Sequence, residues 1–284
     1  MSPVTSKIAD RLSNGIKRFQ PILLAAKTRD LNESDTVIIV TDMLSEVFGF
    51  DKYSEVTSEY SIRNTYVDLA IKLEGVLHLL IEVKAIGLDL KEAFIKQAVD
   101  YAANQGIDWV ILTNGLIWRV YKVSFSKPID QELVLEVDFQ KTSNKNRTDI
   151  DTLYLLTREG LLKSSLGEYH TQRQALSRYF LSAMILSDNI IDTIRRDLRK
   201  ISPGVKIEVE EIHSVLVQEV LKREVVEGDK ADEARKKVNR IAGRQRTRAT
   251  NRSELHDATD GSATDEQAAL DDDSGVDERT GSSD

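Results

Sequence analysis

Two carboxylates and one lysine stand at a spacing that can hold a divalent metal ion against a phosphate. Asp68 lies in one apolar segment of the chain, and Glu82 and Lys84 lie two residues apart in the next. Carboxylate oxygens are ligands that Mg²⁺ prefers, and bound Mg²⁺ both polarises phosphoryl oxygens and activates water. The three residues are therefore candidates for a metal-dependent hydrolytic site, with Mg²⁺ or Mn²⁺ as the cofactor.

The two apolar segments are predicted to form a β-hairpin. Apolar residues alternate along 66–73 and along 76–86, so each segment has one face for a core. Burying both faces together predicts a three-residue turn at 74–76. The predicted pairs are Leu73 with Leu77, Ile71 with Leu79 and Leu69 with Ile81.

The same register sets Asp68 opposite Glu82, with about 5 Å between directly opposed Cβ atoms. Two facing carboxylates repel each other, and a hard cation between them would remove the repulsion. The alternative is a plain ion pair of Glu82 with Lys84. Leu80 and Ile86 flank that pair, and burying an ion pair is costly, which favours the metal site.

Helices and further strands are predicted on both sides of the hairpin. One helix runs from Asn32, a suitable N-cap, to Phe48, with Gly49 closing its end. Glu33 falls on its apolar stripe, so this carboxylate either answers the helix dipole or faces a positive group. The stripe consists of Val37, Val40, Thr41, Leu44, Val47 and Phe48.

A second helix is predicted from about Leu88 to Asn104, with Gln97 and Tyr101 one turn apart on one face. Two strands follow it around an Asn-Gly turn, and a further strand is predicted at the edge of the sheet. These strands are Trp109–Thr113, Ile117–Val123 and Glu132–Phe139.

The order of these motifs resembles a known family. The spacing from Asp68 to Glu82 and Lys84 is similar to the D…(D/E)xK motif of PD-(D/E)XK nucleases, with Val67 where the family name has Pro. Residues 30–125 more narrowly resemble the N-terminal nuclease domain of type I restriction enzyme motor subunits. The further motifs that carry this likeness are 32–36, 48–51, Gln97 with Tyr101, and 109–115 leading into 118–121.

The resemblance implies a restriction-endonuclease-like α/β fold and a role for each matching residue. Asp68 and Glu82 would ligate Mg²⁺, and Glu33 would support the metal. Lys84 would orient or deprotonate the attacking water, or neutralise the transition state. Gln97 and Tyr101 would position the scissile strand or the water.

Charge is distributed unevenly along the chain. The net charge is −8, but residues 253–284 hold eleven acids and one Arg, a net of −10 that leaves +2 for the first 252 residues. A near-neutral body with an acidic tail is compatible with DNA as a partner. A basic run without acids precedes the tail. This run either binds phosphates or forms the solvated basic end of a helix. The candidates in this run are Arg235, Lys236, Lys237, Arg240 and Arg244.

Four parts of the chain follow from these patterns. We predict a helical lead-in over 1–30, a nuclease-like mixed β-sheet flanked by helices over 31–140, a helical region over 149–243 and a disordered tail over 244–284. The helical region is a candidate for packing on the nuclease core, for forming a homodimer or for binding a partner subunit. No apolar stretch reaches the roughly 18 residues of a membrane span, and Cys is absent, which predicts a cytoplasmic protein.

Two functions of different classes follow from the sequence. The first is a Mg²⁺-dependent DNA endonuclease of restriction, defence or DNA processing. The second is a non-cleaving, nuclease-fold subunit that binds nucleic acid or acts as an adaptor. The phosphate loop of P-loop ATPases is absent from the sequence, so neither function is expected to use an ATP site of this chain.

Overall fold

The computed structural model describes residues 4–62, 65–125 and 128–241. The chain divides into two compact units, the first ending at Arg173 and the second beginning at Gln174. The strands are β1 Val56–Ile62, β2 Thr65–Leu73, β3 Val76–Val83, β4 Trp109–Thr113, β5 Ile117–Ser124 and β6 Asp130–Asp138. The helices are α1 Ser6–Thr28, α2 Glu33–Glu46, α3 Lys96–Gln105, α4 Arg147–Tyr154, α5 Arg158–Leu162, α6 Ser165–Ala175, α7 Arg178–Ile185, α8 Asp188–Ile201, α9 Val209–Val215 and α10 Arg223–Val226.

The first unit is built on one six-stranded mixed sheet in the order β1-β2-β3-β4-β5-β6. All neighbouring strands are antiparallel except β3 and β4, which are parallel and are joined through α3. A parallel pair needs such a crossover, because the chain has to return to the same end of the sheet. The mixed sheet flanked by helices and followed by a helical region confirms the predicted α/β fold class.

The hairpin of β2 and β3 keeps the predicted core register, but its turn differs from the prediction. Glu74 and Gly75 alone form the turn, with φ angles of +52° and +79°, so Leu73 pairs with Val76 instead of Leu77. Positive φ at both central residues is the geometry that matches the twist of two paired strands. A bulge at His78 then restores the predicted pairs of Ile71 with Leu79 and of Leu69 with Ile81.

Each face of the sheet carries its own hydrophobic cluster. Leu69 of β2 and Ile81 of β3 belong to the larger cluster, which α1, α2 and α4 help to form. Leu80 lies in the second cluster together with Ala98 and Ala102 of α3. Because side chains alternate along a strand, Glu82 lies on the same face as Leu80, beneath α3.

The predicted elements agree with the structure to different degrees. Asn32 caps α2, its side chain accepting a hydrogen bond from the Asp35 N–H, and β6 is an edge strand, both as predicted. The helix predicted from Leu88 begins later: 85–91 is a loop, Glu92–Ile95 is a 3₁₀ turn, and α3 starts at Lys96. The other edge strand, β1, was not predicted, because its sequence alternates weakly between apolar and polar residues.

The second unit is helical and has a small apolar core. Ala183 of α7 packs with Ala234 and Val238, which lie in a helical stretch over 229–241. The predicted disordered tail over 244–284 lies outside the described residues. None of the helices in the described ranges combines the length and the apolar character needed to cross a membrane.

Candidate active site

Lys84 lies between two glutamates at the end of β3. Its Nζ is 2.8 Å from Oε1 of Glu82 and 3.3 Å from Oε1 of Glu33, the first residue of α2. The side chains of Lys84 and Glu82 are only 15% and 17% exposed, whereas that of Glu33 is 46% exposed. Glu33, for which the sequence allowed two interpretations, therefore faces a positive group.

Asp68 is fixed beside this group by a backbone hydrogen bond. The last pair of residues between β2 and β3 is Leu69 with Ile81. Beyond this pair, the Val83 N–H donates a hydrogen bond to Oδ2 of Asp68 at 2.7 Å. Asp68 thus accepts a hydrogen bond from the backbone of the residue that lies between Glu82 and Lys84. We refer to Glu33, Asp68, Glu82 and Lys84 as the carboxylate–lysine cluster.

Burial and the neighbouring charges shift the pKa values of the cluster. Burial raises the pKa of Asp68 against the lowering effects of the Val83 N–H and Lys84. Burial also raises the pKa of Glu82, and the charge of Asp68 adds to the increase although Lys84 opposes it. Burial lowers the pKa of Lys84, but the hydrogen bond to Glu82 and the three negative charges outweigh it and raise the pKa.

The raised pKa of Lys84 bears on the three roles that the resemblance allows. The carboxylates stabilise the protonated amine, which can donate hydrogen bonds and neutralise negative charge but cannot accept a proton. A divalent cation held by Asp68 and Glu82 would lower the pKa of Lys84 again, so all three roles are compatible with the arrangement.

The donor chemistry of Asp68 and Glu82 fits a magnesium ion. Both are hard oxygen donors on one side of the sheet end, and Mg²⁺ is commonly held by one or two carboxylates, with waters and substrate phosphates completing its shell. Within the part of the chain that the structure describes, no three His, Asp or Glu side chains form a group that can hold a metal ion. Glu33 contacts Lys84 instead of completing such a group.

Gln97 and Tyr101 lie on α3, one turn apart. Gln97 is exposed on the first turn of the helix, and Tyr101 is half-buried with its ring edge-on to Tyr60 of β1, at 6.3 Å between centroids. Phe94, just before α3, lies with its ring centroid 5.9 Å from Nζ of Lys84. Phe94, which was not among the predicted site residues, is therefore an aromatic neighbour of the cluster.

The loop after Lys84 is bonded to the hairpin of β4 and β5. The Lys84 N–H donates to the Thr113 carbonyl at 2.8 Å, and the side chain of Asn114 donates to the Leu88 carbonyl at 3.0 Å. Arg119 of β5 donates to the Leu90 carbonyl at 2.6 Å. In the sequence the Asn114–Gly115 pair indicates a turn and forms part of the resemblance, and nothing in the residue pattern shows the contacts with this loop.

The basic run belongs to the second unit. Arg235 pairs with Asp232, and Lys237 pairs with Glu233 at 2.8 Å and lies over the ring of Phe180. Lys236 and Arg240 are exposed. Arg244, the last candidate of the run, lies outside the described residues.

The fold and the cluster define an α/β domain of the mixed-sheet class with a D…ExK group at one end of its sheet. Residues 39–134 match the family described as type I restriction enzyme R protein N terminus. The matched span contains Asp68, Glu82 and Lys84, whereas Glu33 precedes it. The match confirms the predicted resemblance over this part of the chain and indicates a nuclease-related role. No match was found among curated proteins or among solved structures.

Proposed function

We propose that the chain is a Mg²⁺-dependent DNA endonuclease that hydrolyses phosphodiester bonds at the carboxylate–lysine cluster. The observation that carries the proposal is the placement of Asp68 and Glu82, two half-buried carboxylates, beside the ammonium group of Lys84. A solely structural ion pair needs one carboxylate, and the second carboxylate adds repulsion. The family match supports the class of reaction.

Each residue of the cluster has a chemical task in this proposal. Asp68 and Glu82 would hold the metal, which when bound lowers the pKa of a coordinated water and stabilises charge on a phosphoryl oxygen. Lys84 donates hydrogen bonds toward the reacting phosphate and neutralises the charge that develops there. Glu33 also pairs with the ammonium group of Lys84 and helps to hold it in place.

A plasmid assay tests the proposal directly. Purified protein is expected to nick or linearise DNA with Mg²⁺ or Mn²⁺ and to lose this activity with a chelator. Asp68→Asn and Lys84→Ala are expected to abolish cleavage while the melting temperature shows an intact fold. Asp68→Asn keeps an oxygen that can accept from the Val83 N–H, so it removes the charge without removing that bond.

Lys122→Ala provides a matched control for Lys84→Ala. Lys122 also pairs with a carboxylate, that of Asp108 at 2.5 Å, and its Nζ lies 5.0 Å from the ring centroid of Trp109. Lys122→Ala therefore removes the same kinds of contact as Lys84→Ala, an ion pair and a contact with an aromatic ring, but leaves the cluster unchanged. Cleavage that survives Asp68→Asn and Lys84→Ala, or that Lys122→Ala abolishes equally, contradicts the assignment.

The second candidate function is a nuclease-fold subunit that binds nucleic acid without cutting it. The observation in its favour is that Lys84 contacts both Glu82 and Glu33, so two carboxylates already share one cation. Metal linkage separates the two functions, because Mg²⁺ at 100 times its Kd raises the free energy of unfolding by about 2.7 kcal/mol. A melting temperature that is independent of millimolar Mg²⁺ in the wild type, but with DNA binding retained, favours the second.

A further inference from the structure

The loop between β3 and α3 connects Lys84 to the helix that carries Gln97 and Tyr101. We call residues 85–91 the connecting loop; they form turns and irregular backbone before the 3₁₀ turn at Glu92–Ile95. A segment without a strand or helix ladder keeps one path only if other groups bind its backbone. The partners of the connecting loop therefore fix the path of the chain that leaves Lys84.

Asn114 binds the connecting loop from the turn between β4 and β5. The residue is 5% exposed, and its Nδ2 donates to the carbonyl of Leu88 at 3.0 Å and to that of Ile86 at 3.4 Å. Its Oδ1 accepts from the N–H groups of Leu116 at 3.1 Å and Ile117 at 2.9 Å. The amide thus binds its own turn through the oxygen and the connecting loop through the nitrogen.

Arg119 binds the same loop two residues further along. Its Nη1 donates to the Leu90 carbonyl at 2.6 Å, and its Nε pairs with Glu136 of β6 at 2.6 Å. Arg119 is held in β5 by its backbone pairing with both neighbouring strands, so its hydrogen bond to Leu90 fixes the loop relative to the sheet, and the ion pair uses a different nitrogen. A hydrogen bond from a charged donor is stronger than a neutral one.

The connecting loop also touches the segment that leads into Glu33. A Cβ added at Gly87 would lie 2.5 Å from Oδ1 of Asp30, three residues before Glu33. The backbone of the loop therefore passes closely against the turn between α1 and α2. A shift of the loop changes both the position of Lys84 and its distance from Glu33.

We propose that Asn114 and Arg119 are positioning residues, which hold the connecting loop so that Lys84 stays in the carboxylate–lysine cluster. The inference rests on the proposed nuclease function for its effect on catalysis. Neither residue has to touch the nucleic acid, because both bind backbone carbonyls of the loop. Loss of such an outer partner typically lowers activity by about 10- to 100-fold.

The test uses variants that separate the loop contact from the rest of the side chain. Arg119→Met removes the bond to Leu90 and the ion pair, whereas Glu136→Gln removes the ion pair and leaves the donor for Leu90 in place. Arg119→Lys keeps one charged donor and is expected to recover part of the loss. Asn114→Asp keeps the acceptor for Leu116 and Ile117 but replaces the donor to the loop with an oxygen.

Two measurements are made on each variant: Mg²⁺-dependent DNA cleavage, and hydrogen–deuterium exchange of the backbone amides of the connecting loop. In Arg119→Met and Asn114→Asp we expect kcat to fall by about 10- to 100-fold with little change in KM, and loop exchange to become roughly tenfold faster. We expect both measurements to stay near wild type in Glu136→Gln.

The two readouts keep this inference separate from the proposed function. A wild-type protein that cleaves no DNA contradicts the nuclease function, and loop exchange then decides by itself whether Asn114 and Arg119 hold the loop. Unchanged exchange in both Arg119→Met and Asn114→Asp overturns the inference. So does a loss of kcat in Glu136→Gln equal to that in Arg119→Met, because the ion pair and not the loop contact would then matter.

Discussion

Replacing Gly49 with alanine should destabilise the first unit far more than its backbone conformation alone requires. Gly49 follows α2 with a φ of +82°, and a Cβ there would lie 2.5 Å from Cζ of Arg11. The guanidinium of Arg11 donates to the carbonyls of Val47 at 3.0 Å and Phe48 at 3.3 Å. It also bonds both carboxylate oxygens of Glu159, at 2.8 and 2.6 Å. The alanine must displace a side chain that joins α1, the end of α2 and α5.

The expected cost has two parts. A left-handed conformation costs a residue with a Cβ about 1–2 kcal/mol. Hydrogen bonds of a charged group contribute about 1.5–3 kcal/mol each, but Arg11 and Glu159 are 26% and 31% exposed, so solvent offsets much of the loss. Allowing about 2 kcal/mol for displacing Arg11, Gly49→Ala should cost about 3–4 kcal/mol. Gly75→Ala is the matched control, because its φ is +79° with no atom within 4 Å of the added Cβ, and it should cost only about 1–2 kcal/mol.

Urea denaturation measures the difference. Both tryptophans of the chain, Trp109 and Trp118, are buried in the first unit, so their fluorescence follows the unfolding of that unit. In an Arg11→Met background the excess cost of Gly49→Ala over Gly75→Ala should disappear. Equal costs of the two glycine variants in the wild-type background, or an excess that persists without Arg11, would refute the reasoning.

Two further predictions concern pH and the acidic tail. Burial raises the pKa of Glu159, but the hydrogen bonds from Arg11 outweigh it and lower the pKa below the usual 4.5. A lowered carboxyl pKa stabilises the fold above the unfolded value, and this contribution is lost as the pH falls through the folded value. The stability advantage of wild type over Glu159→Gln should therefore be present at pH 7 and shrink below about pH 4.5 in urea melts; an advantage that stays constant down to pH 3 contradicts it. Deleting residues 253–284 should tighten DNA binding and steepen its salt dependence, because their net −10 competes with phosphates for the nearby basic run; equal affinities and salt slopes would leave the tail without this role.

The register of the central hairpin shows how far the sequence determines this fold. The alternation of apolar residues requires Leu69 to face Ile81, and this pairing places Asp68 next to Glu82. The predicted turn was wrong by one residue, and the bulge at His78 supplies the missing residue. A three-residue turn and a two-residue turn followed by a one-residue bulge give the same register beyond the bulge. The pairing beside Asp68 and Glu82 was therefore predicted correctly, because the burial pattern, and not the turn, determines the register there.

The contacts around Lys84 could not be predicted in the same way. The sequence left open whether Glu33 answers the helix dipole or faces a positive group, and its distance of 3.3 Å to Lys84 depends on how the start of α2 meets the sheet end. Asn114 bonds Leu88, 26 positions away, and Arg119 bonds Leu90, 29 positions away. Such contacts leave no periodic pattern in the sequence from which they could be predicted. For the same reason the helix predicted from Leu88 started too early. Leu88 and Leu90 fit a helical pattern, but their carbonyls are bound by the neighbouring hairpin instead.

Two charged groups of the first unit, the pair of Arg11 with Glu159 and the carboxylate–lysine cluster, differ in a way that bears on function. Arg11 with Glu159 is balanced, and the guanidinium also satisfies two carbonyls at the end of α2, so stability alone accounts for it. In the carboxylate–lysine cluster Glu33 and Glu82 pair with one ammonium group and Asp68 lies beside them, which leaves an excess of two negative charges when all are ionised. Burial raises the pKa of both Asp68 and Glu82, so ionising them in place costs the fold free energy. Stability gives no reason to keep that excess at the end of a strand. A cation bound there would offset it, and this imbalance is the physical argument for the metal-dependent function that we propose.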